Sequence, residues 1–176
     1  MAATASYDAT RARVEDYFDR TATQTWERLT SDAPVSRVRQ TVRAGRDRMR
    51  ALMLSRLPDD LSGVRVLDAG CGAGQMTAAL AARGADVTAV DISPQLSEVA
   101  RARLPSEASG RVLFVAGDML GDLGEHDFVV AMDSLIYYSV PDIAAALDGL
   151  AERVRGGVVF TVAPRTPFLM AVWGMG

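Results

Sequence analysis

The stretch Val64-Arg65-Val66-Leu67-Asp68-Ala69-Gly70-Cys71-Gly72-Ala73-Gly74 constrains the fold of this chain more than any other. A short apolar and β-branched run bounded by turn residues reads as a buried strand. The run Gly74-Gln75-Met76-Thr77-Ala78-Ala79-Leu80-Ala81-Ala82-Arg83, stopped by Gly84, reads as a helix. The glycines therefore occupy a strand-to-helix turn. There positive φ is permitted, and a ligand can approach backbone that a Cβ would shield. A lone G-x-G means little, and the strand before it and the helix after it give it weight.

The spacing selects among ligands. A dinucleotide fingerprint reads G-x-G-x-x-G and leaves a helix N-terminus free for a pyrophosphate. Here Gly70-x-Gly72-x-Gly74 follows Asp68, a carboxylate that repels phosphate and attracts a cation. Residues 66–74 resemble the first motif of the S-adenosylmethionine-dependent methyltransferases of the Rossmann-like class, whose ligand carries a sulfonium and an ammonium and no phosphate. The plainer alternative is a turn that only packs a helix on a sheet.

The same strand-then-helix unit recurs downstream. Ala85 to Asp91 reads as a second strand, Ser93-Pro94 caps a helix reaching about Arg103, and 105–110 reads as a loop. Arg111 to Asp118 is a third strand, and Asp127 to Asp133 is a fourth after a turn at Gly121 to Glu125. Pro141 opens a helix to about Val154, and Gly156-Gly157 leads into a fifth strand, Val158 to Val162. Strands alternating with ten-residue helices define an α/β fold, a Rossmann-like, doubly wound, mostly parallel sheet covered on both faces. The resemblance implies two closing strands, one antiparallel, which 163–176 does not supply. The core is thus expected to be truncated after strand five, or to have that edge covered by something else, with the apolar run from Phe168 to Trp173 leading toward strand six.

Residues 1–57 are expected to form an N-terminal helical lid and 58–176 the core. Residues 1–10 read as a loose tail. Thr10, Val14, Tyr17, Phe18, Trp26 and Leu29 recur at helical spacing, with a break near the threonines at 21, 23 and 25. A second helix is expected from about Pro34 to Leu57, burying Val35, Val38, Val42, Met49, Leu52 and Met53. Its other face, Arg37, Arg39, Arg43, Arg46, Arg48 and Arg50, reads as solvated and basic. Residues 1–57 hold eleven Arg against seven acids, net +4, whereas 58–176 hold eight against fifteen, net −7. Every basic side chain is Arg, which favours planar, bidentate pairing with carboxylate or phosphate. The single cysteine, Cys71, excludes an internal disulfide and a CxxC zinc site, and no metal site is expected. No secretory signal opens the sequence and no apolar run is long enough to span a bilayer, so a cytoplasmic chain is expected, with any membrane contact peripheral.

Ligands of open parallel sheets bind beyond the carboxyl ends of the strands, at the switch point of strand order. Asp68, Asp91, Asp118 and Asp133 fall at such ends. The methyltransferase resemblance gives each a role. Asp68 faces the methionine ammonium, with Gly70 and Gly72 beside the methionine carboxylate and ribose. Asp91 accepts the ribose hydroxyls. Asp118 receives the adenine amino group, Met119 and Ile92 pack on the two faces of the ring, and Asp133 faces the transferring methyl. His126, the only histidine, precedes strand four on the side away from the ligand and reads as a surface loop residue rather than a base.

Substrate choice lies in the appended segments. Tyr17-Phe18-Asp19, Trp26-Glu27-Arg28, Val35-x-x-Val38, Arg43-Ala44-Gly45-Arg46, Asp133-Ser134-Leu135-Ile136-Tyr137-Tyr138 and Thr161 to Pro167 together resemble the magnesium-protoporphyrin IX O-methyltransferases of (bacterio)chlorophyll biosynthesis. The resemblance covers about residues 10–173. It departs at Leu29-Thr30-Ser31, where many relatives have Ile-Tyr-Gly, and at Tyr137-Tyr138-Ser139, where many have His-Tyr-Pro. It implies methyl transfer to a porphyrin propionate, with magnesium present only as part of that substrate. Tyr137 or Tyr138 orients the carboxylate, an N-terminal arginine such as Arg43 pairs with the second propionate, and Tyr17, Phe18 and Trp26 form a lid. It also implies a complex with the magnesium chelatase; the basic half is expected to meet that enzyme or a membrane rather than nucleic acid. The alternatives are an O-methyltransferase for another small acceptor, a non-catalytic cofactor- or porphyrin-binding module, and a dinucleotide oxidoreductase, against which the glycine spacing argues.

Overall fold

The computed structural model describes residues 5–18 and 37–162. The expectations for Trp26, for Leu29-Thr30-Ser31 and for the chain after strand five lie outside the described residues.

Two helices, α1 (Ala5–Tyr17) and α2 (Arg37–Leu54), precede the alternating units β1 (Arg65–Ala69), α3 (Gln75–Ala82), β2 (Asp86–Asp91), α4 (Pro94–Arg103), β3 (Val112–Ala116), β4 (His126–Ala131), α5 (Val140–Ala151) and β5 (Val154–Phe160). The five strands pair in the order β3-β2-β1-β4-β5, all parallel. The chain builds outward from β1 to β3 and then returns to β4 on the other side of β1. Strand order therefore reverses between β1 and β4, and a crevice opens beyond their carboxyl ends.

β1 is the hub because Val66 and Leu67 point to opposite faces and both are buried. Val66 packs with Leu61, Met76, Leu80 and Val87, and Leu67 packs with Tyr7, Val90, Val129 and Leu150. Ser93 caps α4 by accepting the Leu96 N–H, and Ser139 caps α5 by accepting the Asp142 N–H. β5 starts at Val154 rather than Val158, so α5 ends earlier and both glycines fall inside the strand. A Cβ on Gly156 would lie 2.7 Å from the Asp127 carbonyl oxygen and from the Phe128 ring, a closeness that only glycine permits beside the register shift there.

Three further expectations are corrected. Within the stretch read as a loose tail, α1 begins at Ala5 and inserts Tyr7, 2% exposed, into the second core cluster. His126 is the buried first residue of β4, since its backbone N–H joins the ladder by donating to the Arg153 carbonyl at 3.1 Å. Burial, reinforced by nearby Arg65, lowers its pKa. On α2, Met53 is buried as expected, but Val42 (45%), Met49 and Leu52 (57%) are exposed. The helix turns Arg46 and Arg50 inward instead, because four carboxylates line the cleft they face. The supposedly solvated face is thus in part an inner wall. Among the described residues no helix is long and apolar enough to cross a membrane.

Candidate active site

The turn after β1 is held down by β2, whose Val90 carbonyl accepts N–H bonds from Gly70 at 2.8 Å and Cys71 at 2.9 Å. Gly70, Gly72 and Gly74 all have positive φ (+81°, +53° and +81°). Their glycines serve different needs. A Cβ on Gly70 would lie 2.3 Å from Ser134 Cβ, so this position allows β1 and β4 ends to touch. A Cβ on Gly72 would meet nothing within 4 Å, so it would project into open space.

That space is a cleft, open to solvent at its mouth, beyond the carboxyl ends of the strands. Asp68, Gly70, Gly72, Asp91, Ile92, Asp118, Met119 and Asp133 all line it, as do Phe18, Tyr137 and Tyr138. Tyr17 and Arg43 do not. Tyr17 is exposed and touches Phe18 edge to face, with ring centroids 5.3 Å apart.

Each carboxylate is held differently. Asp68, 1% exposed, accepts the Thr77 hydroxyl at 2.6 Å. Burial, opposed by that hydrogen bond and assisted by nearby Asp91, pushes its pKa up to about 7. Asp91 accepts the Gly72 N–H at 2.7 Å on Oδ2 and the Ser93 N–H at 2.9 Å on Oδ1. A carboxylate offers about four lone-pair sites, so these bonds fix its direction without exhausting its acceptor capacity. Asp118 Oδ1 accepts the Tyr7 hydroxyl at 2.7 Å and the Leu120 N–H at 2.9 Å, with Arg11 Nε 3.7 Å from Oδ2. Asp133 stands in the left-handed region at φ +59°, its N–H donating to Thr161 Oγ1 at 2.8 Å, and its carboxylate pairs with Arg46.

The aromatic wall runs from α1 to the segment after β4. Tyr7 stacks on Tyr138 with centroids 4.7 Å apart, and Phe18 meets Tyr137 edge to face at 6.0 Å. Burial pushes Tyr137 and Tyr138 up to about 12 and Tyr7 higher still, so all three are phenols at neutral pH, donors rather than bases. Tyr7, Arg11 and Ser134 line the cleft without a site role in the sequence reading, as do Arg46 and Arg50, whose inward setting it did not give. One signal was present: Tyr7, Thr10, Val14 and Phe18 fall at steps of three and four, a single helix face.

The donor set suits a ligand with a cationic end, two vicinal hydroxyls and an amino-bearing ring: acceptors at Asp68, Asp91 and Asp118, an open glycine floor, and apolar Ile92 and Met119 beside them. It does not suit a pyrophosphate, which would face carboxylates. Among the described residues no three His, Cys, Asp or Glu side chains are grouped so as to hold a metal ion.

Sheet order, glycine turn and acid-tipped strands define a Rossmann-like class I methyltransferase, and residues 66–157 match the family described as methyltransferase domain. The chain is 63% identical over 172 residues to the magnesium-protoporphyrin O-methyltransferase of Rhodobacter capsulatus, covering 97% of this chain and 77% of that protein. It is 34% identical to the chloroplastic magnesium protoporphyrin IX methyltransferase of Arabidopsis thaliana, over 87% of this chain and 51% of the relative. The crystal structure of the Synechocystis PCC 6803 magnesium protoporphyrin IX methyltransferase with bound SAH superposes with a TM-score of 0.83 at 28% identity, covering 95% of this chain and 78% of that one. This chain belongs to the magnesium-protoporphyrin O-methyltransferase family.

Proposed function

We propose that this chain binds S-adenosylmethionine in the cleft and moves its methyl group to a propionate carboxylate of magnesium-protoporphyrin IX, giving the monomethyl ester of (bacterio)chlorophyll biosynthesis. The observation that carries the reading is the convergence of Asp68, Asp91, Asp118 and Asp133 on one glycine-floored cleft, in a chain 63% identical to a magnesium-protoporphyrin O-methyltransferase.

Bound there, the cofactor supplies an electrophilic methyl on a sulfonium. Asp68 takes the ammonium, Asp91 the ribose hydroxyls and Asp118 the adenine amino group, while Ile92 and Met119 pack on the ring. Gly70 and Gly72 leave room for the methionine and ribose, and Asp133 lies toward the methyl. A propionate is already ionised at neutral pH, so the chain needs no general base. Its task is to align oxygen, carbon and sulfur and to exclude water, where opposite charges vanish together as the bond forms. Tyr137 or Tyr138 orients the acceptor carboxylate as a phenol donor. The N-terminal helices act as the lid, with Phe18 among its substrate-facing groups; support comes from Phe18, which lines the cleft.

In this reading the magnesium chelatase, or a membrane surface, passes the poorly soluble porphyrin to α2, where Val42, Met49 and Leu52 stand exposed near Arg48. A turnover assay with methyl-labelled cofactor, comparing magnesium-protoporphyrin IX with a panel of phenols and quinones, tests the function. Label in a base-labile porphyrin ester is expected. Label in a phenol or quinone alone would assign a different acceptor, and cofactor binding without turnover a non-catalytic role.

A further inference from the structure

We infer that Arg46 is the cleft's receptor for a ligand carboxylate, and that Asp133 holds its guanidinium until that carboxylate arrives. The inference rests on the reading of the cleft as a methyl-transfer site and adds to it the residue that recognises an acid.

Arg46 reaches the cleft from α2, 87 positions away in sequence from its partner, and the two side chains are only 19% and 18% exposed. A guanidinium that far from solvent is costly without a carboxylate beside it, in the free protein and in any complex. The remaining groups make Arg46 the natural meeting point for an incoming anion. Asp68, Asp91 and Asp118 repel one, Arg11 sits at the Asp118 end, and Arg50, one helical turn from Arg46 and paired with the half-exposed Asp47 at 2.7 Å, adds a second positive charge beside it.

Asp133 is built to let go. Its backbone is anchored independently of Arg46, through the 2.8 Å bond to Thr161, and the Thr161 hydroxyl stands 3.5 Å from its Oδ1. The carboxylate thus keeps its place and a partner when the ion pair opens. Next to it, Ser134 Oγ is buried on the cleft wall without a hydrogen-bond partner, a second donor for the arriving acid. Exchanging one carboxylate for another on a planar fork preserves the geometry of the pair.

Two ligand carboxylates have this chemistry, the methionine carboxylate of the cofactor and a porphyrin propionate. The propionate that receives the methyl is not the one held. A guanidinium on the reacting oxygen stabilises the ionised ground state more than a transition state in which that charge is disappearing.

The test titrates the full chain with S-adenosylhomocysteine and with 5′-methylthioadenosine, which lacks the methionine carboxylate, and with magnesium-protoporphyrin IX and its dimethyl ester, which lacks both acids. Failure of wild type to bind S-adenosylhomocysteine overturns the underlying reading. With that binding in hand, Arg46→Gln is expected to weaken one acid ligand roughly 10- to 100-fold while sparing its acid-free counterpart, and the pair affected identifies which carboxylate is held. The spared ligand also shows that the variant folds. Should Arg46→Gln lose every ligand, Arg46→Lys is expected to give a smaller loss confined to the acid ligand. Equal losses for acid and acid-free ligands in both variants, or no loss for either acid, overturns the inference. Exchange is read separately, by the cost of Arg46→Gln in an Asp133→Asn background. A larger cost than in wild type is expected, because the guanidinium no longer has to leave Asp133, and an equal or smaller cost overturns the exchange.

Discussion

The Tyr7 hydroxyl donates a 2.7 Å hydrogen bond to Asp118 Oδ1, joining the first helix to the segment after β3 across 111 positions of sequence. Ser6 makes a parallel tie from the same helix, donating to Asp142 at 2.8 Å. The first helix is therefore fastened to both halves of the sheet, at the adenine end of the proposed site.

Replacing Tyr7 by Phe keeps the stacking on Tyr138 and removes only the hydroxyl. A bond to an ionised partner contributes about 1.5–3 kcal/mol, and each kcal/mol moves Tm by roughly 2–4 °C at this chain length. Thermal unfolding is expected to shift down by about 3–12 °C, with S-adenosylhomocysteine bound more weakly. An unchanged Tm would mean that the bond to Asp118 contributes nothing.

Asp68 makes stability depend on pH in a defined direction. Its folded pKa of about 7 lies above the ordinary 3.8, so between those values the folded chain holds a proton that the unfolded chain has lost. Ligand-free stability should therefore fall as pH rises from about 4 to about 7 and level off above. Cofactor affinity should rise over the same window, because an ammonium favours the ionised form. Asp68→Asn is expected to flatten the stability profile, raise Tm by a few degrees at pH 8 and weaken S-adenosylhomocysteine strongly. A Tm profile identical to wild type from pH 5 to 8 would contradict this.

Gly70 and Gly72 separate folding from binding. Gly70→Ala drives a Cβ to 2.3 Å from Ser134 Cβ at φ +81°, and a loss on the order of 2–4 kcal/mol is expected in denaturant unfolding. Gly72→Ala meets no atom within 4 Å, so it should cost only about 1 kcal/mol of backbone strain while its methyl occupies the cleft. Calorimetry should then show a folded variant with weakened cofactor binding. The opposite ranking, with Gly72→Ala unfolded and Gly70→Ala intact, would refute the roles assigned to the two glycines.

The sheet and the acid-tipped strands were legible because their signals are local. A β-branched run, a glycine turn and a helix lie consecutively at 64–83, and each acid lies within two residues of a strand's carboxyl end, although β3 and β4 stop at Ala116 and Ala131, two residues short of Asp118 and Asp133. The setting of α2 was not legible. An amphipathic pattern predicts Val42 and Leu52 inside, but which face turns inward depends on carboxylates contributed by distant segments, such as Asp133, 87 positions from Arg46. Tyr7 was hidden for a related reason, since its helix buries only Tyr7 and Thr10 fully among polar neighbours, too little to rise above the pattern of a tail. His126 was misjudged because a strand gained one residue at its start, which takes the side chain from solvent into the sheet.

Asp91 carries the central claim, that carboxylates from successive strands enclose an adenosyl sulfonium. A calorimetric titration of wild type and Asp91→Ala with S-adenosylhomocysteine, alongside thermal unfolding to establish that the variant folds, tests it most directly. The account predicts saturable binding by wild type and no measurable binding by the folded variant. Affinity retained in Asp91→Ala, or displacement of the ligand by NADH from wild type, would contradict it.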